Sequence, residues 1–130
     1  MADKLRLLIV DDSKIARAQV SAIIDEIDSA EVAGTAKNGL AAISIVESLH
    51  PDLILMDIVM PEMDGLSALR LMRATNPDVR VAMVTSLGGS GSHAEESFRL
   101  GAVQVVGKPF DAEQIKALID SELSFHLQED

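Results

Sequence analysis

"DLILMDIVMPEMDG", residues 52 to 65, runs from Asp52 through the consecutive apolar side chains of Leu53 to Met56, reaches an acid at Asp57, and bends through Pro61 to Asp64 and Gly65. A continuous apolar run of this length bounded by turn residues reads as a strand covered on both faces, as in a parallel sheet. The stretch that follows, "GLSALRLMRA", has helical spacing, and Asp64 stands where a helix N-cap belongs. The unit is therefore a buried strand, a tight loop and a helix, with a carboxylate at the strand's end.

Four similar units occur along the chain. Strands are expected at "LRLLIV" from Leu5, "EVAGTA" from Glu31, "VRVAMVT" from Val79 and "AVQVVG" from Ala102, as well as at "DLILMD" from Asp52. Helices fill the gaps: Lys14 to about Asp28, with Ile15, Ala18, Ala22 and Ile23 as its apolar stripe; "GLAAISIVESL" behind an Asn38 cap; then "HAEESFRL" and "DAEQIKALIDSEL". Strict β-then-α alternation calls for right-handed crossovers and a parallel sheet, so all strands end along one edge, where open α/β sheets place their sites. Asp11, Asp12, Asp57, Thr85 and Lys108 end these runs and become neighbours on that edge.

At 130 residues the chain has the size of one domain, residues 1–130. With 11 basic and 21 acidic residues the net charge is 11 − 21 = −10, the wrong sign for direct contact with a nucleic acid backbone. Without cysteine there is no disulfide framework or thiolate metal site. The start "MADKLRLLIVDD" has too short an apolar run for a signal peptide or a membrane span. A soluble cytoplasmic protein without membrane insertion is the expectation.

Three converging carboxylates repel one another, and the simple remedies are raised pKa values or a hard cation with oxygen ligands, for which Mg²⁺ fits best. Such an ion keeps open positions for phosphate oxygens, and a carboxylate can itself attack phosphorus to give an aspartyl phosphate. A lysine and a threonine hydroxyl at the same edge suit the remaining phosphoryl oxygens. Singly, each residue has an ordinary reading. Asp11 and Asp12 can cap the first helix, Thr85 can be a plain strand residue, and Lys108 a solvated turn charge. Only the conjunction points to phosphoryl chemistry. His50, His93 and His126 share no ligand spacing and read as surface or partly buried residues; Met56, Met60, Met63, Met72 and Met83 read as core filler or rim. The acidic end "QED" reads as a solvated tail.

"IVDDS" at 9–13, "DLILMDIVMPEMDG" at 52–65, "VTS" at 84–86 and "GKPF" at 107–110 together resemble the receiver domain of bacterial response regulators, the CheY-like phosphoacceptor modules of two-component signalling. The resemblance spans essentially the whole chain. It implies a flavodoxin-like (CheY-like) α/β fold, a doubly wound five-stranded parallel sheet in the order 2-1-3-4-5. It also implies Asp57 as phosphoacceptor, Asp11 and Asp12 placing Mg²⁺ with Asp12 the direct ligand, and the Val59 carbonyl completing the metal site. Lys108 would pair with the phosphoryl group, Thr85 would hydrogen-bond it, and a cis bond would precede Pro109. The implied donors are a histidine kinase, a phosphotransfer protein or acetyl phosphate, and a downstream protein would read the switch. The outer face of the first helix, around Ile15 and Gln19, is the implied kinase or phosphotransfer docking face. Enzymatic activity would be limited to self-catalysed phosphotransfer and dephosphorylation.

Three features depart from the common pattern. Val105 stands where many receivers carry an aromatic switch residue, so output must pass through the loop after Thr85 or a population shift. Val59 cannot orient a hydrolytic water, which predicts slow loss of the phosphoryl group. "SLGGSGSH", residues 86 to 93, reads as a mobile glycine-rich connection, or as a loop closing over the phosphoryl group, and is similar to the receiver of chemotaxis methylesterases. The chain thus reads as a stand-alone receiver or as one cut from a larger regulator such as a chemotaxis methylesterase. Other classes fit less well. A haloacid-dehalogenase-type hydrolase needs an acid at Val59, a flavodoxin-like cofactor binder would repel phosphate at "VDDSKIA", and a phosphorylation-independent pseudo-receiver does not explain the intact acids, Thr85 and Lys108.

Overall fold

A computed structural model describes residues 4–85 and 91–128. Strands β1 (Leu5–Val10), β2 (Ala30–Ala36), β3 (Leu53–Asp57), β4 (Val81–Thr85) and β5 (Gln104–Gly107) alternate with helices α1 (Lys14–Asp25), α2 (Gly39–Leu49), α3 (Gly65–Thr75), α4 (Gly91–Arg99) and α5 (Ala112–Gln128). The strands pair in parallel in the order β2-β1-β3-β4-β5. This is the doubly wound arrangement that the alternation and the resemblance imply.

The side-chain period of two divides the sheet's apolar residues between two cores. Leu8, Val10, Ile54, Met56, Val81 and Met83 face Ala42 and Val46 of α2 and Ala68, Leu69 and Met72 of α3. Leu7, Ile9, Leu53, Leu55, Ala82 and Val84 face Val20 and Ile24 of α1 and Ile115, Leu118 and Ile119 of α5. Every residue of β3 and β4 is buried, which is why these runs lack polar alternation. Each Leu or Ile so placed contributes about 1.5–3 kcal/mol through removal of its apolar surface from water. Met56, Met60, Met72 and Met83 are core residues, as expected.

The caps come from short polar side chains. Asn38 accepts from the Ala41 N–H at 2.8 Å and Asp64 from the Ser67 N–H at 2.8 Å, both as expected. At α1 the cap is Ser13, which accepts from the Ala16 N–H at 3.1 Å, so neither Asp11 nor Asp12 has that duty.

The apolar stripe expected on α1 is corrected. Ile15 is 72% exposed, Ala18 and Ala22 are exposed, and the buried residues are Val20 and Ile24. Of the expected stripe Ile23 packs, partly buried, against the core with Val20 and Ile24, whereas Ile15, Ala18 and Ala22 lie on an adjacent face and look outward. β4 begins later than its pattern, because the Val79 N–H closes a turn on the Asn76 carbonyl at 3.0 Å. α5 runs beyond the expected end to Gln128.

Candidate functional site

At the end of β1, Asp11 extends the ladder by one bond, its N–H donating to the Ala36 carbonyl at 3.1 Å. Its side chain is buried. One carboxylate oxygen, Oδ1, accepts from the Ser13 N–H at 2.9 Å, and Oδ2 accepts from Lys108 Nζ at 2.9 Å. The Asp11 carbonyl accepts from the Arg17 guanidinium at 2.7 Å. Asp12, the next residue, is exposed, and among the described residues its carboxylate receives no hydrogen bond.

Asp57 ends the central strand β3 opposite Val84 of β4 and is only 5% exposed. Its oxygens accept from the Val59 N–H (Oδ1, 3.3 Å) and Lys108 Nζ (Oδ2, 3.3 Å). The loop after it is held by the Ile58 N–H on the Val84 carbonyl at 2.9 Å and the Gly65 N–H on the Ile58 carbonyl at 2.7 Å. Gly65 is needed there, since a Cβ at this position would collide with the Asp57 carbonyl and lie 2.8 Å from the Met83 methyl carbon. The start of α3 is thus pressed against the backbone that carries Asp57. Val59 projects its side chain outward, 58% exposed. Glu62 takes a left-handed backbone (φ 69°), and its carboxylate accepts from the Asn38 amide at 3.2 Å, tying this loop to the cap of α2.

Thr85 is buried at the end of β4, in register with Gly107 of β5, and its carbonyl accepts from the Lys108 N–H at 2.7 Å. That bond holds Lys108 at the sheet's carboxyl edge, from which its side chain reaches both Asp11 and Asp57. The Lys108–Pro109 peptide is cis, as the resemblance implies. Val105 packs as a partly buried residue against the α2–α3 core.

Ligand oxygens of Asp11, Asp12 and Asp57 all lie within 4.8 Å of one another. Burial pushes the Asp57 carboxyl above its ordinary value; Lys108 pulls it down, and the Asp11 charge pushes it up again. Burial lowers the Lys108 ammonium, but its bond to Asp11 and the charges of Asp57 and Asp11 outweigh that, leaving its pKa raised. One ammonium therefore bonds two of three clustered carboxylates. An all-oxygen set with surplus negative charge and one exposed member fits a hard divalent cation that retains water, Mg²⁺ in particular.

The structure brings Asp11, Asp12, Asp57, Val59, Thr85 and Lys108 to one edge. Two participants escaped the sequence reading, Ser13 and Arg17. The Ser three positions before Ala16 carried a capping signal that the neighbouring acids masked, whereas a side-chain bond to a backbone carbonyl leaves no pattern. Most of the glycine-rich stretch 86–93, including Ser86 of "VTS", lies outside the described residues. His50 and His126 are exposed and His93 is half-buried, in keeping with ordinary roles.

The family model described as "Response regulator receiver domain" matches residues 7–120. The chemotaxis protein CheY of Listeria monocytogenes is 38% identical over 111 residues, which is 85% of this chain and 92% of that one. A protein-glutamate methylesterase/protein-glutamine glutaminase of Methanococcoides burtonii is 39% identical over 120 residues, 92% of this chain but 34% of its own, so the chain spans about a third of that relative. Among solved structures, the response regulator domain of Thermotoga maritima CheB superposes with a TM-score of 0.86 at 36% identity, covering 93% of this chain and 97% of that one.

Proposed function

Because the chain belongs to the response regulator receiver domain family, we propose that it is a phosphorylation-controlled switch whose acceptor is Asp57. The observation that carries this reading is the bridge from one ammonium, Lys108, to two of three clustered carboxylates at the sheet's carboxyl edge. In the reaction an Asp57 oxygen attacks the phosphorus of a phosphohistidine or of acetyl phosphate. The P–N or P–O bond breaks, and its electron pair leaves with the imidazole or acetate. The rigid strand end and the clamp at Gly65 fix the direction of attack, so little motion of the carboxylate has to be frozen at that moment.

Lys108 moves its charge from the carboxylates to the phosphoryl oxygens, and the Thr85 hydroxyl donates to another of them. Asp11 keeps Lys108 in place. Asp12, Asp57 and the Val59 carbonyl would hold Mg²⁺, with Asp11 beside them. When bound, that ion neutralises charge accumulating on the transferred group. The Val59 side chain offers no polar group to direct water at the phosphoryl phosphorus, so the phosphorylated state decays slowly.

The partners in this reading are a histidine kinase or phosphotransfer protein as donor and a downstream output protein, in the cytoplasm. No helix among the described residues is long and apolar enough to cross a membrane. Residues 1–130 act as one receiver unit. A second reading, the receiver part of a chemotaxis methylesterase, is favoured by the 39% identity that covers 92% of this chain but only 34% of the relative. In either reading this chain is the switch rather than the esterase.

Intact-mass measurement after acetyl phosphate treatment tests the proposal. Wild type should gain one phosphoryl group only with Mg²⁺, and Asp57→Asn none. Equal gain by both proteins, or no gain by wild type, would remove Asp57 as acceptor.

A further inference from the structure

The two adjacent acids at the end of β1 are held very differently. Every hydrogen-bonding function of Asp11 is engaged: its N–H on Ala36, Oδ1 on Ser13, Oδ2 on Lys108 and its carbonyl on Arg17. Asp12 is exposed, and no such bond fixes its carboxylate among the described residues. What orients Asp12 is therefore the peptide plane that it shares with Asp11, and the oxygen of that plane is the one that Arg17 holds at 2.7 Å. Arg17 belongs to the first turns of α1, where its own N–H donates to the Ser13 carbonyl at 3.0 Å. Helix and acidic turn are thus closed into one rigid loop.

Resting on the metal-assisted reading above, we propose that Arg17 is a positioning residue for the cation site: it fixes the Asp11–Asp12 peptide so that the Asp12 carboxylate points at Asp57. Its role can be told from a simple charge effect by sign. A cation near three carboxylates repels Mg²⁺, so its removal by itself tightens metal binding. Loss of a group that orients a ligand weakens metal binding, by about 10–100-fold where such outer partners have been removed from other sites.

The test is an NMR titration of backbone amides with MgCl₂ on wild type, Arg17→Met and Arg17→Lys, with thermal melts of each. Methionine keeps an unbranched aliphatic stem of similar length but cannot donate; lysine restores a donor and the charge. The Kd for Mg²⁺ should rise about tenfold in Arg17→Met and recover most of the way in Arg17→Lys. The maximal rate of phosphorylation at saturating Mg²⁺ should change far less than the Mg²⁺ concentration needed to reach half of it. Unchanged or tighter binding in a folded Arg17→Met protein overturns the proposal, as does a loss that lysine fails to repair. Should Arg17→Met melt below the measuring temperature, Arg17→Lys and Arg17→Gln decide by the same criterion. A wild type that binds no Mg²⁺ would instead refute the metal-assisted reading itself, an outcome visible before any variant is examined.

Discussion

Buried charge occurs at both ends of the sheet, and the two ends treat it in opposite ways. At the amino-terminal end, Glu122 of α5 is only 3% exposed, and Arg80, just before β4, answers it with a two-pronged bond at 2.6 and 3.0 Å. The same guanidinium lies 3.5 Å from the centre of the Phe125 ring. One cation meets one anion, and the pair is complete. At the carboxyl-terminal end the Lys108 ammonium bonds only two of three clustered carboxylates, and the neighbouring Arg17 guanidinium is spent on a backbone carbonyl. A balanced pair anchors α5 to the sheet; an unbalanced cluster has negative charge left over for a ligand. Substitution at the first end should therefore cost stability and spare chemistry, and substitution at the second should do the reverse.

The largest contrast is all-or-none. Asp57→Asn should abolish phosphoryl uptake, whereas Arg80→Met should leave its rate within about twofold, the sites being remote from each other. In stability the order inverts. Arg80→Met strands the Glu122 carboxylate in the interior and should cost about 3 kcal/mol, seen as a fall in Tm of roughly 10 °C. A smaller effect comes from the metal. Mg²⁺ at ten times its Kd should add about 1.4 kcal/mol to wild type and to Arg80→Met, and none of this to Asp57→Asn. Smaller again, Val59→Asn should speed decay of the phosphorylated protein about fivefold, close to 1 kcal/mol of barrier; an unchanged decay rate would show that the side chain at this position does not limit hydrolysis.

The smallest effect is a pH dependence in metal-free protein. Burial raises the Asp57 pKa above the 3.8 of an unperturbed carboxyl. Between those two values the folded chain holds more proton at this group than the unfolded chain does, so its contribution to stability falls as pH rises through that window. Asp57→Asn should therefore become more stable than wild type as pH is raised from 3.8 upward, with the gap levelling once the folded value is passed. Thermal melts of the two proteins across that range would reveal a gap that is flat, or that widens toward acid, if the carboxylate is not strained.

Parallel strands buried on both faces read as apolar runs, and in a β-then-α chain their ends must share an edge, so the gathering of Asp11, Asp12, Asp57 and Lys108 followed from local pattern alone. The Arg80–Glu122 pair is 42 residues apart and obeys no local spacing, and Arg80 sits inside "VRVAMVT" as though it belonged to a strand. The outward stripe of α1 misled for a related reason. Ile15, Ala18 and Ala22 have the helical spacing of a buried face, but the sheet takes Val20 and Ile24 instead. Periodicity reports that a helix has an apolar face without saying which of two adjacent apolar faces meets the sheet. Arg17 was hidden because a bond to a backbone carbonyl requires no particular partner residue.

The most direct test of the unbalanced cluster is a crystal structure of the protein grown with Mg²⁺ and beryllium fluoride, a phosphoryl mimic. The expected result is one ion touching Asp12, Asp57 and the Val59 carbonyl, with the mimic on an Asp57 oxygen and Lys108 turned from the carboxylates to a fluoride. An ion bound elsewhere, or Lys108 still bridging Asp11 and Asp57 beneath an empty acceptor, would contradict the account.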